Sequence, residues 1–279
     1  MPTPPAAKTA DVLERILAAR RRALAQAKQT VRAAKLEERA AAAPPPRDFA
    51  AALGRDALNV IAELKKASPS CGVLRSAYQP EAGTPRAYNP AALAPALESA
   101  GAAALSVLTE PEFFQGGLED LQVARSVSSL PVLRKDFLFD PYQLFEARAA
   151  GADAFLLIAA ILSTAELRRL IQLGKQLGMA ALAEVHTAEE LDRALEAGAE
   201  IVGVNNRNLK TFAVNLETSV ALIERIPDGC LAVSESGLRT RAELDRLRAA
   251  GFDAFLIGEH LMQAADPAQA LRALLGGER

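Results

Sequence analysis

Tryptophan is absent from the 279-residue chain, cysteine and histidine occur twice each, and aromatic residues make up only 5%. Cys71 and Cys230 cannot build a disulfide framework. With His186 and His260 they form no cluster of metal-ligand spacing, so no metal is expected. An excess of one charge is also lacking: 32 Lys and Arg face 34 Asp and Glu, a formal net charge of −2. That balance gives no electrostatic case for nucleic acid or a membrane surface as partner. The longest apolar run, Ala154 to Leu162, is too short to cross a bilayer, and the polar start has no apolar core like that of a signal peptide. A cytoplasmic protein is the expectation. No G-x-G-x-x-G or G-x-x-x-x-G-K-[ST] loop follows any apolar run, which argues against a doubly wound nucleotide-binding sheet.

Half of the residues are apolar, enough for a large core, and the length suits two ordinary domains or one α/β barrel. Val12, Leu13, Ile16, Leu17, Leu24, Val31 and Leu36 recur at helical spacing, which predicts a single helix over 11–40. Pro44, Pro45 and Pro46 end it, so residues 1–47 are expected to be a helical extension and proline-rich linker packed on a barrel of 48–279.

Beyond the prolines the chain repeats. Helical patterns end in Ala-Gly at Gly101, Gly151, Gly198 and Gly251, and each glycine suits the left-handed position past a helix. Apolar runs follow at once: Ala103–Leu108, Ala154–Ile158, Ile201–Val204 and Ala254–Ile257. Four more lie between, at Leu58–Ala62, Pro131–Leu133, Ala180–Ala183 and Leu231–Val233, separated by amphipathic segments such as Thr164–Leu177, Ala188–Ala197 and Arg241–Ala250. Eight buried strands alternating with helices predict a closed (β/α)8 barrel.

Chemistry in such a barrel belongs at the C-terminal strand ends. Here those ends read Glu63-Leu64-Lys65, Arg134-Lys135-Asp136, Glu184-Val185-His186, Asn205-Asn206-Arg207-Asn208 and Ser234-Glu235-Ser236-Gly237. Charges gathered at one mouth are costly unless paired, so a set drawn from five strands points to function rather than to a structural ion-pair rim. Ser236-Gly237 and Gly258-Glu259, each ahead of a helical stretch, suit the approach of a phosphate to backbone N–H groups, and Ser68 after the first strand could complete the cup.

Taken together, Ile61-Ala62-Glu63-Leu64-Lys65-Lys66-Ala67-Ser68-Pro69-Ser70, Leu133-Arg134-Lys135-Asp136-Phe137, Ala183-Glu184-Val185-His186, Gly203-Val204-Asn205-Asn206-Arg207-Asn208-Leu209 and Ser234-Glu235-Ser236-Gly237 resemble the indole-3-glycerol-phosphate synthase family. Phe113-Phe114-Gln115-Gly116-Gly117 resembles it too. The resemblance implies a cofactor-free lyase of tryptophan biosynthesis that closes 1-(2-carboxyphenylamino)-1-deoxyribulose 5-phosphate to indole-3-glycerol phosphate, losing carbon dioxide and water. It implies Lys135 as general acid for condensation and Glu184 as base for dehydration. Lys65 either holds the anthranilate carboxylate or acts as the dehydration acid. Glu63 and Glu235 would hold the lysines, Asn205 the sugar hydroxyls and Arg207 the substrate carboxylate. Phe114, Phe137 and Leu209 would bind the substrate, with Ser68, Ser236, Gly237, Gly258 and Glu259 at its phosphate. Burial opposed by neighbouring glutamates is expected to bring a lysine toward useful acid strength near neutral pH.

The chain departs from the family pattern at Cys71, where a basic residue is usual, at His260, and in an insertion of about ten residues between Leu74 and Tyr88. His186 and His260 are expected to be structural or peripheral. Two rival readings are a phosphoribosylanthranilate isomerase, for which a Cys/Asp acid–base pair would be expected, and a catalytically silent phosphate-binding barrel serving as a ligand-binding or assembly module. Monomer and homodimer are both compatible with the sequence.

Overall fold

The computed structural model describes residues 7–77, 87–208 and 211–277. Eight parallel strands close on themselves: β1 (Asn59–Leu64), β2 (Ala104–Leu108), β3 (Val132–Lys135), β4 (Ala154–Ile158), β5 (Ala180–Val185), β6 (Ile201–Asn205), β7 (Leu231–Glu235) and β8 (Ala254–Ile257). The barrel shuts where Asn59 pairs with Ala254 and Ala62 with Ile257. Every apolar run named above becomes a strand. Several extend further than their apolar letters, because polar residues stand at or next to the strand ends: Glu63 in β1, Lys135 in β3, Glu184 in β5, Asn205 in β6 and Glu235 in β7.

Alternation along each strand divides the core in two. Ile61, Leu133, Leu156, Leu182, Val233 and Leu256 face the barrel axis, while Val60, Ala62, Leu64, Val132, Ala183 and Val202 pack outward against the helices. Two residues past the inward layer, the same parity gives Glu63, Lys135, Glu184 and Glu235, so core packing aims these side chains at the mouth.

The outer helices follow the strands: α4 (Pro90–Ser99), α5 (Leu118–Val127), α6 (Pro141–Ala149), α7 (Thr164–Gln176), α8 (Ala188–Glu196), α9 (Glu217–Ile223), α10 (Arg241–Ala249), α11 (Glu259–Gln263) and α12 (Pro267–Leu275). Gly101, Gly151, Gly198 and Gly251 all have positive φ, the left-handed backbone their place after a helix requires. Two half-barrels also repeat in detail. Asp153 follows Gly151 and accepts the Val132 N–H at 2.8 Å; Asp253 follows Gly251 and accepts the Ala232 N–H at 2.7 Å.

The leading segment is two helices, α1 (Ala7–Thr30) and α2 (Ala33–Ala42), not the single one predicted. Tyr142 braces the break: its hydroxyl proton is shared between the carbonyls of Ala27 and Val31, both at 3.0 Å, and the Val31 oxygen is one that continued helix would have used, since the Lys35 N–H turns to Arg32 instead. Leu24 and Leu36 then fold around that ring. A short helix that the sequence reading did not foresee, α3 (Phe49–Leu53), buries Phe49 and Leu53 against the inward layer and plugs the bottom of the barrel. No described helix is long and apolar enough to cross a membrane.

Candidate active site

A cavity of about 310 Å³ opens at the C-terminal ends of the strands. Glu63, Lys65, Ser68, Phe114, Lys135, Phe137, Glu184, Asn205, Arg207, Glu235, Ser236, Gly237, Gly258 and Glu259 all line it, while Leu209 lies outside the described residues. The ten-residue insertion falls largely on residues 78–86, also outside them.

Lys135 is central. Its Nζ donates to Glu184 Oε2 at 2.8 Å and lies 3.4 Å from Glu235 Oε2, with both carboxylates buried. Across the floor, Lys65 Nζ meets Glu63 Oε1 at 2.8 Å. Two glycines make room for these acids: a Cβ on Gly203 would come within 2.0 Å of Glu235 Oε1, and one on Gly258 within 2.2 Å of Glu63 Oε1. Gly258, predicted only as a phosphate contact, therefore also has a packing duty.

Burial disfavours every charge here, and the neighbours decide which survive. It opposes the Lys135 ammonium, but Glu184, Glu235 and Glu63 outweigh it, so the pKa stands above the ordinary lysine value. The expected shift toward neutrality is thus reversed in the free site, because three carboxylates exceed the cost of desolvation. Burial also raises Glu184, yet Lys135, His186 and a hydrogen bond from Asn205 pull it down to about 2. Glu235 goes the other way, pushed up to about 8 by burial and by Glu184 and Glu63.

Arg134 and Asp136, which flank Lys135, are spent on structure rather than on the mouth's chemistry. Asp136 accepts from Arg20 of α1 at 2.9 Å, Thr109 at 2.7 Å and Arg134 at 3.0 Å. Arg134 also donates to the Gln143 carbonyl at 2.7 Å. Asn205 is held by accepting the Arg207 N–H at 3.0 Å. Next to it, buried Asn206 ties β6 to β7 by donating to Ser234 Oγ and the carbonyls of Glu235 and Ser236.

The aromatic wall sits on a loop after β2. Glu110 is buried and accepts the N–H groups of Glu112, Phe113 and Phe114 at 3.0, 2.6 and 3.0 Å, which fixes Phe114 with its ring centroid 6.1 Å from that of Phe137. Val12, Leu13 and Ile16 of α1 cover the same cavity. Sequence reasoning missed Glu110, Asn206 and the role of α1; for α1 the signal was available, since those three residues share one helical face.

At the far rim, Ser236 (φ 68°) and Gly237 (φ 84°) both adopt left-handed backbone, uncommon for a residue with a side chain and a mark of functional turns. Glu259 directs its carboxylate to Arg207 at 2.9 Å and Arg239 at 3.4 Å. His260 lines the cavity as well, with its pKa lowered by burial and by Arg239.

A sequence-family profile described as "Indole-3-glycerol phosphate synthase" matches residues 13–274. The relative of that name from Koribacter versatilis is 48% identical over 269 residues, covering 95% of this chain and 99% of the relative. The one from Dechloromonas aromatica is 47% identical over 268 residues, covering 95% and 98%. Among solved structures, 3-hexulose-6-phosphate synthase from Salmonella typhimurium superposes with a TM-score of 0.60 at 14% identity, over 78% of this chain and 97% of that one. At such identity the likeness shows the barrel alone.

Proposed function

The chain belongs to the indole-3-glycerol phosphate synthase family, a carbon–carbon lyase of tryptophan biosynthesis, and from that premise we propose how its own residues carry the reaction. The substrate is 1-(2-carboxyphenylamino)-1-deoxyribulose 5-phosphate and the product indole-3-glycerol phosphate. The observation that carries the assignment is Lys135, an ammonium in a closed mouth between Glu184 and Glu235.

In condensation the aromatic carbon bearing the carboxylate attacks the ketone carbon, and Lys135 delivers its proton to the ketone oxygen, making a hydroxyl. Loss of carbon dioxide leaves its electron pair in the ring. In dehydration Glu184 takes a proton from the adjacent carbon while Lys65 protonates the departing hydroxyl, so water leaves and the indole forms. The tight hold on Lys135 in the free site suits this order. Its proton moves only when an alkoxide, more basic than the surrounding carboxylates, develops beside it. Glu63 and Glu235 keep the two ammoniums in place, and Asn205 bonds the sugar hydroxyls.

Phe114, Phe137 and the α1 face hold the anthranilate ring. Arg207 receives its carboxylate through a guanidinium fork. Ser68 and the backbone N–H groups of Ser236, Gly237, Gly258 and Glu259 take the phosphate. The Glu259 carboxylate, which an anion would repel, is parked on Arg207 and Arg239 and must yield Arg207 as the substrate enters.

The test is a fluorescence assay for indole formation from this substrate, with Lys135→Ala alongside. Product from the parent chain that collapses in the variant supports the reading. Folded protein that binds the substrate without turning it over would instead make it a binding module.

A further inference from the structure

Two strands on opposite sides of the barrel end alike. The inward residues of β1 run Ile61, Glu63 and then Lys65; those of β5 run Leu182, Glu184 and then His186. In each case a carboxylate is followed, two residues on, by a side chain able to carry positive charge. Lys65 Nζ lies 2.8 Å from Glu63 Oε1, and His186 Nε2 lies 3.5 Å from Glu184 Oε1. Lys65 lines the cavity, whereas His186 stands behind Glu184 with its side chain 10% exposed.

The ring is fixed from the far side. Nδ1 is 3.2 Å from Oε2 of Glu190 on α8, and the same oxygen accepts the His186 backbone N–H at 2.7 Å. That leaves Nε2 buried with no hydrogen-bond partner, facing the proposed base. A histidine kept only to fill space would be explained by its contact with Glu190. It would not explain a second nitrogen directed at a carboxylate on the cavity wall, which is how an orienting partner is placed behind a catalytic base.

We infer that His186 is a positioning residue for Glu184: anchored by Glu190, its imidazolium orients that carboxylate and keeps it ionised between turnovers. The inference rests on the proposed role of Glu184 as base. The charged groups that face His186 are Glu184 on its own strand, Glu190 of α8 with Arg193 beside it, and Glu235 of β7. Burial opposes the imidazolium, but these carboxylates outweigh it and hold its pKa above the ordinary histidine value.

The experiment compares the pH dependence of indole formation in the parent chain, H186Q, E190Q and E184Q, with a carbon-13 titration of labelled histidine in the folded parent. Only His186 and His260 contribute signals. E184Q is expected to abolish turnover. H186Q should lower kcat by about ten- to a hundredfold, the effect of one polar contact to a charged group, with KM within about twofold. Its acid limb should move to higher pH, because Glu184 loses a cation. E190Q should move the limb the same way by less, and the His186 signal should titrate above an ordinary histidine.

An unchanged acid limb in folded H186Q, or a His186 that titrates at or below the ordinary value, overturns the inference and leaves Glu184 as base. Full activity in E184Q overturns the base assignment itself. Should H186Q fail to fold, E190Q and the titration of the parent chain decide.

Discussion

Lys135 and Glu235 occupy equivalent strand ends in the two half-barrels, one hundred residues apart in sequence, and their side chains meet at 3.4 Å. Between them they set the charge of the mouth. Lys135 already has Glu184 at 2.8 Å, so a second ionised carboxylate would add repulsion among acids within a dry pocket. The site resolves this by leaving a proton on Glu235, whose pKa of about 8 keeps it largely neutral at physiological pH.

A pH prediction follows from that proton. An acid with a raised pKa is neutral below it and charged above it, and an ionised Glu235 strengthens the grip of Lys135 on its own proton. Turnover should therefore fall as pH rises through about 8. Glu235→Gln, which stays neutral, should lose that limb; an alkaline decline of the same midpoint in the variant would assign it to another group.

Lys135→Ala should lower kcat by at least about a hundredfold, the low end for a lost general acid, with substrate binding largely kept. The chain has no tryptophan, so indole emission in a stopped-flow or steady-state assay rises from a background free of that fluorophore. Near-normal turnover would remove Lys135 from the acid role.

Glu259 holds Arg207 at 2.9 Å and Arg239 at 3.4 Å in the free site, so on the proposed reading an incoming anion has to displace it. Glu259→Gln should tighten inhibition by inorganic phosphate and lower KM for the substrate, and raised salt should narrow the difference. Equal inhibition constants in the two proteins would show that the arginines take no part in anion binding.

Asp136→Asn would take from Arg134, 1% exposed, its nearer and fully buried counter-charge at 3.0 Å and leave it Glu146 at 3.5 Å, a loss of up to roughly 3–5 kcal/mol for a broken buried pair. Burial raises the Asp136 pKa, but Arg134 and Arg20 overcome it and set the folded value below the ordinary one. The stabilisation is thus complete above the ordinary carboxylate pKa and is lost as pH falls through the lower folded value. Melting curves should show a large gap between parent and variant at neutral pH that closes in acid; a constant gap would exclude an ionic origin.

The barrel was legible because its periodicity is redundant: four Ala-Gly helix ends and eight apolar runs point to one architecture. Strand ends were read short at Pro131–Leu133, since Arg134 and Lys135 look like loop until closure of the barrel gives Lys135 an inward face and Arg134 buried partners in Asp136 and the Gln143 carbonyl. The break in the leading helix is braced by Tyr142, more than a hundred residues away, and no local pattern encodes that contact. The candidate site residues could be named from strand ends, but Glu110 and Asn206 act by accepting and donating to backbone within folded loops, contacts invisible in a string of letters. The direction of the Lys135 shift needed the separations from three carboxylates on three other strands.

The paired clamps at the base of the barrel bear on how the chain acquires its shape. Asp153 fixes the amide of Val132, and Asp253 that of Ala232, each across only 21 residues of sequence. Each half can therefore set the register of two neighbouring strands from nearby contacts, before the far edge closes β1 onto β8. During synthesis the earlier pair would be aligned while the later one is still being made. Pulsed hydrogen exchange during refolding should find both amides protected ahead of those at the β1–β8 seam, so that the late event in assembly is the joining of two halves already in register.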